Sequence, residues 1–164
     1  MKGKKPIIEN FGGKLRIRVC GILLENESIL MVKHKYLGSM GTLWAPPGGG
    51  MHFNQTAEEN LHREFREETG LEISVENFLF VNEFLDPPLH AIELFFEVKR
   101  KGGQLTTGMD PEMKGQEQII ESVNFLNRNE LGKIPTEQLH NIFSIDKNPA
   151  NIIRLNGIYY FHNR

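Results

Sequence analysis

The sequence holds a single cysteine, Cys20, among 164 residues. No internal disulfide can staple the chain, and a reduced compartment is the expectation. Cys20 lies in an apolar run and reads as a small buried hydrophobe rather than a nucleophile. No apolar stretch approaches the ~20 residues that span a bilayer. The first residues are basic (Lys2, Lys4, Lys5), but no apolar segment follows them. No secretory signal is therefore read, and the chain is expected in the cytoplasm without membrane contact. An excess of one charge is also missing, since the net charge is −2. No basic stripe with interleaved aromatics is present, so no nucleic-acid partner is expected. A small phosphate-bearing molecule stays compatible, because a metal can neutralise phosphates in place of a basic field. Repeats, linkers and low-complexity tracts are absent. With 39% hydrophobic and 24% charged residues, composition alone suits one α/β or α+β domain.

Acidic residues concentrate in one place. Between Gly49 and Leu71, five glutamates (Glu58, Glu59, Glu64, Glu67, Glu68) stand against two arginines (Arg63, Arg66). Thr56 followed by Glu59 fits a capping box, and Gly70 fits the left-handed position just past a helix end. The spacing predicts a helix over 57–69. Ala57, Leu61 and Phe65 recur at i, i+4, i+8 as its apolar stripe. Glu64, Glu67 and Glu68 share another face. Any two acids on a helix read as solvated surface. Three on one face repel by roughly 0.2–0.5 kcal/mol per pair. Arg63 and Arg66 offset part of this, and Mg²⁺ or Mn²⁺ held by carboxylate oxygens offsets more.

The same stretch resembles the Nudix box, G-x5-E-x7-R-E-U-x-E-E-x-G-U, where U is a bulky aliphatic residue. Gly49 and then Arg63-Glu64-Phe65-Arg66-Glu67-Glu68-Thr69-Gly70-Leu71 stand in register. The run Trp44-Ala45-Pro46-Pro47-Gly48-Gly49 after an apolar strand is similar too. Two positions depart from the pattern: Gln55 replaces the first Glu, and Phe65 replaces an aliphatic. The resemblance implies an α/β/α Nudix sandwich with a mixed β-sheet between helices. It implies Mg²⁺- or Mn²⁺-dependent hydrolysis of a pyrophosphate bond in a nucleoside diphosphate linked to another moiety. Glu67 and Glu68 are then the primary metal ligands, and Glu64 is a further ligand or orients the attacking water. A carbonyl of Gly48 or Gly49 completes the metal shell, and Arg63 is structural. A further glutamate from downstream serves as ligand or base: Glu117 first, with Glu121 and Glu112 as alternatives. Gln55 removes a charge expected near the cluster and motivates a rival reading, a degenerate domain that binds nucleotide without cleaving it.

Along the chain, residues 1–13 read as a tail and 14–164 as a single domain. Leu15–Leu24 and Ser28–His34 predict a strand hairpin. Arg16, Arg18 and Lys33 on it are candidate phosphate ligands by the resemblance, against a default of surface charge. Trp44 is either core or a wall of the cleft, and Gly48–Gly50 lets backbone approach a ligand closely. His52 reads as a loop residue. Strand material over 71–75, 78–84 and 89–98 predicts a long hairpin broken at Asp86-Pro87-Pro88. Pro87 is similar in placement to a proline of ADP-ribose pyrophosphatases, which favours ADP-ribose or a nucleotide sugar over a nucleoside triphosphate. Residues 99–115 read as a mobile loop, and 122–126 as a short strand followed by a helix start at 127–131. A helix is predicted over 136–143. Asn156-Gly157 signals a tight turn between apolar runs, a segment able to cap the sheet or to pair with a second chain in a homodimer.

Overall fold

The computed structural model describes residues 4–113 and 118–160, with only the backbone of residues 4–7 and 112 described. Residues 4–11, read as a tail, form helix α1 (Lys4–Phe11). Strands β1 (Leu15–Glu25), β2 (Ser28–Lys35), β3 (Thr42–Ala45) and β4 (Gly48–Gly50) follow. Helix α2 (Ala57–Thr69) comes next, then strands β5 (Leu71–Asp86) and β6 (Leu89–Gly103). Strand β7 (Ile120–Asn127), helices α3 (Arg128–Lys133) and α4 (Pro149–Ile152), and strand β8 (Gly157–Tyr159) complete the order.

The strands join in one mixed sheet, β3-β2-β1-β6-β5-β8, with β4 on β1 and β7 on β2. β1 runs parallel to β6 and β8 parallel to β5. β5–β6 is the long antiparallel hairpin that the sequence predicts, continuous through bulges. β1 and β2 meet only at Leu24↔Ile29 and Glu25↔Ser28. Beyond that turn they diverge, and β2 pairs with β3 and β7.

Strand alternation divides the core. One face carries Val19, Leu23 and Val98, on which α2 packs Leu61 and Phe65. The opposite face carries Cys20, Ile22, Phe80 and Phe95, covered by Leu139, Ile142, Phe143 and Ile152. Helices therefore lie with the sheet as the α/β sandwich requires, but the second layer differs from expectation. The helix predicted over 136–143 is two 3₁₀ turns, Thr136–Gln138 and Asn141–Phe143. Between them Leu139 bridges to Trp44, and the His140 amide donates to the Trp44 carbonyl at 2.7 Å. That sheet-edge bond competes with helix continuation and wins. Over 152–160 the turn signal makes no hairpin, because α4 occupies the start, and β8 caps the edge of the sheet on β5.

Much of the segment expected to be a mobile loop is tied to α2 and β6, while its last two residues lie outside the described ones. β6 runs on to Gly103, and the amides of Thr106, Gly108 and Met109 donate to the carbonyls of Thr69, Glu68 and Glu67. They satisfy acceptors that the end of α2 leaves open. No helix among the described residues is long and apolar enough to cross a membrane.

Candidate active site

Helix α2 begins and ends where its sequence signals lie. Thr56 and Glu59 form the reciprocal capping box, and Gly70 closes the helix at φ 71°. Its buried residues include Asn60, Leu61, Glu64, Phe65 and Glu68. Two carboxylates are thus taken inward beside the apolar stripe, which needs compensation. The compensation is local. The Gly48 amide donates to Glu68 Oε2 at 2.9 Å. Arg63 reaches Glu64 Oε1 at 2.8 Å and Glu67 Oε2 at 2.9 Å, and it donates to the carbonyl of Gly50 and to Asn60 Oδ1. Asn60 in turn accepts from the His52 amide at 2.8 Å, which fastens the loop before the helix. Arg63 is structural, as the resemblance implies.

Gly49 is required by close approach. A β-carbon there would lie 2.2 Å from Glu64 Oε1, so any side chain would displace that carboxylate. Burial, then the charge of Glu68, pushes the Glu64 carboxyl up to about 8, against the opposing pull of Arg63 and Arg18.

These groups form one wall of a cleft of about 860 Å³, large enough for a nucleotide derivative. Arg16 and Arg18 of β1 line it, with Gly48, Gly49, Gly50, Glu64, Glu67 and Glu68. Arg16 lies over the ring of Phe11, 3.9 Å from its centroid. Arg18 Nη2 donates to the Gly48 carbonyl at 3.3 Å. Carboxylates and glycine carbonyls are hard oxygen donors, and they suit Mg²⁺ or Mn²⁺. The buried Arg63 Nε has no hydrogen-bond partner, a sign that the polar groups here are not all satisfied by the protein alone. Among the described residues no three His, Cys, Asp or Glu side chains already converge on one point. Arg63 holds Glu64 and Glu67, and the Gly48 amide holds Glu68.

Several expectations are corrected. Lys33 and Trp44 do not line the cleft. They are partners in the β2–β3 ladder and turn to its other face, where Lys33 Nζ binds Glu121 Oε1 at 2.9 Å. Alternation sends their neighbours His34, Leu43 and Ala45 to the cleft instead. Glu121 is engaged by Lys33 and is absent from the cleft lining. Glu117 lies outside the described residues, as does the side chain of Glu112. Gln55 is exposed in the turn before α2 and is absent from the cleft lining. The charge it lacks is not a charge at the cluster. Cys20 is buried, and burial followed by the charge of Glu93 pushes its thiol well up, away from nucleophilic use.

Sequence reasoning missed the cleft floor. Glu93 of β6, 4% exposed, and His140 meet there at 2.9 Å. Burial alone would raise the Glu93 carboxyl, but His140, Arg18 and Asn82 outweigh it and hold it near 2. Phe84, Leu89, His90 and Ile145 line the far end. No signal in the sequence marked it: only the parallel ladder, which pairs Arg16 and Arg18 with Ala91 and Glu93, puts Glu93 on their face.

Comparison with known proteins agrees with this geometry. An ADP-ribose pyrophosphatase of Methanocaldococcus jannaschii is 36% identical over 96 residues, 57% of this chain and 56% of that protein. The match thus spans just over half of that relative's length. An 8-oxo-dGTP diphosphatase of Proteus vulgaris is 29% identical over 93 residues, covering 57% of this chain and 83% of that protein. The fold is similar to that of a crystallised UDP-X diphosphatase, with TM-score 0.61 and 22% identity over 89% of this chain and 68% of that one. It is also similar to the MutT protein of Methanosarcina mazei, with TM-score 0.64 and 15% identity over 85% and 94%. The NUDIX domain model matches residues 14–144, and the chain belongs to the NUDIX family.

Proposed function

We propose that this protein hydrolyses the pyrophosphate bond of a nucleoside diphosphate linked to another moiety, with ADP-ribose or a nucleotide sugar as the substrate class. The observation that carries the reading is that Glu64, Glu67 and Glu68 line one cleft together with Arg16 and Arg18. Carboxylates alone would repel a diphosphate, and arginines alone would bind it without activating water. Together they fit a metal-assisted attack of water at phosphorus. A Mg²⁺ or Mn²⁺ ion held by Glu67, Glu68, Glu64 and a carbonyl of Gly48 or Gly49 would neutralise phosphate charge and acidify the attacking water.

The chain's own groups supply the rest. Arg16 and Arg18 bind phosphate oxygens with planar, permanently charged guanidinium groups. Glu64, held by Arg63 beside Glu68, is a further ligand of the ion or orients the attacking water. Glu117 is the second candidate for that role. The apolar far end, with Phe84 and Leu89, accepts the base or sugar and excludes water. The ADP-ribose choice is supported by the Methanocaldococcus relative and by Pro87, which stands in the turn between β5 and β6 beside the cleft residues Asp86 and Leu89. The non-catalytic reading loses its motive, because Gln55 lies outside the cleft lining.

The test is hydrolysis of ADP-ribose, nucleotide sugars, dinucleoside polyphosphates and nucleoside triphosphates with Mg²⁺, with Mn²⁺, and with excess chelator. Release of AMP and ribose 5-phosphate from ADP-ribose, abolished by chelator, is expected. Turnover of nothing on the panel, or turnover that survives chelation, contradicts the reading.

A further inference from the structure

Glu93 faces three groups, His140 and Asn82 in hydrogen bonds and Arg18 in an ion pair. Arg18 Nε lies 3.4 Å from Oε1, while His140 Nε2 and Asn82 Nδ2 lie 2.9 and 2.8 Å from Oε2. Asn82 is fully buried, and its Nδ2 also donates to Asn141 Oδ1 at 3.1 Å. Its Oδ1 is left with no partner. The amide is turned to serve two acceptors at the expense of its own oxygen. Leaving a buried acceptor unpaired is costly, so the demand of Glu93 and Asn141 for donors sets this orientation. Only an ionised carboxylate faces all three groups and donates to none.

The network is also anchored from three elements. Glu93 lies on β6 and Asn82 opposite it on β5. His140 is held by its own amide on the Trp44 carbonyl of β3. Arg18 is the one member that is partly exposed, with 26% of its side chain accessible. Its Nε faces Glu93 and its Nη2 faces the Gly48 carbonyl. Fixing both ends of a guanidinium removes most of its rotamer freedom before any ligand arrives, and that cost would otherwise be met on binding.

We propose that Glu93, fastened by His140 and Asn82, is a positioning residue that pre-orients Arg18 for the diphosphate of the substrate. This rests on the reading of Arg18 as a phosphate ligand. Glu93→Gln keeps shape but turns an N–H toward one of the three groups. It is expected to weaken binding through Arg18 and by no other route.

The experiment measures the affinity of ADP with Mg²⁺ by titration calorimetry for the unaltered protein, R18A, E93Q and the double variant. Each single substitution is expected to weaken ADP about tenfold, as loss of a charged hydrogen bond does. The double variant is expected within about twofold of R18A, and E93D should recover part of the loss. A double variant about a hundredfold weaker, the product of the two, assigns Glu93 a general structural role and overturns the proposal. So does an unchanged E93Q, an unchanged R18A, or an unaltered protein that does not bind ADP. Should E93Q not fold, N82A replaces it. That change loosens the carboxylate while keeping its charge, and should weaken ADP about threefold only while Arg18 is present. An unaltered protein that binds ADP but hydrolyses nothing counts against the proposed reaction and leaves these binding comparisons valid.

Discussion

Phe65 occupies the space that a side chain on Gly21 would need. A β-carbon at Gly21 would lie 2.4 Å from Cε2 of the Phe65 ring. The two residues explain each other. Phe65 departs from the aliphatic residue of the motif, and a glycine in the middle of an otherwise apolar strand accommodates it. The ring is fully buried and joins Leu61, Val19 and Val98 in the core beneath α2.

Gly21→Ala is therefore expected to destabilise the fold by about 1–3 kcal/mol through overpacking. Adding Phe65→Leu should recover more than half of that loss. Denaturant unfolding of the two variants checks both signs. Additive losses would show that the two positions are not coupled.

Arg63 holds Glu64, Glu67, the Gly50 carbonyl and Asn60 at once. A lysine cannot reproduce that fork. Arg63→Lys is expected to lower kcat at least about tenfold, since two carboxylates lose their orientation. Stability should fall by about 1–3 kcal/mol, the cost of buried acceptors left unpaired. Full activity in this variant would show that the carboxylates hold their places without it.

Glu93 makes stability depend on acid. Its carboxyl lies near 2 in the fold, against an ordinary 4.5. Between those values the unfolded chain binds the proton and the folded chain does not. Its contribution is thus complete above 4.5 and is lost as pH falls through 2. The size is on the order of 3 kcal/mol. Denaturant unfolding of the unaltered protein and E93Q at pH 7 and pH 2.5 should show the larger acid loss in the unaltered protein. Equal losses contradict the assignment.

Local signals were legible where the physics is local. The capping box and Gly70 set the bounds of α2, and the i, i+3, i+4 spacing put its glutamates toward one cleft. Arg16 and Arg18 line that cleft with them. Trp44 read as core or cleft wall and packs on the core, and Lys33 read as surface charge or phosphate ligand; both are one residue out of phase with the cleft lining, and the phase of a strand is fixed by its ladder partners. Glu93 and His140 were invisible for a related reason. They are 47 residues apart, and only the β6 register and the Trp44–His140 bond bring them together. The second layer was misread over 136–143, where periodicity suits a helix but a long-range backbone bond at His140 interrupts it. Nothing within the 136–143 stretch announces that bond.

The central claim is that the glutamates of α2 carry out hydrolysis in this cleft, and one measurement tests it most directly. Turnover of the best substrate from the panel is compared between the unaltered protein and the Glu67→Gln, Glu68→Gln double variant, with ADP affinity measured alongside without metal. Each change removes a charge and keeps the shape. The account predicts a fall in kcat of at least about a hundredfold, with metal-free ADP binding within about threefold, because Arg16 and Arg18 are untouched. Turnover that survives in the double variant would contradict the site assignment.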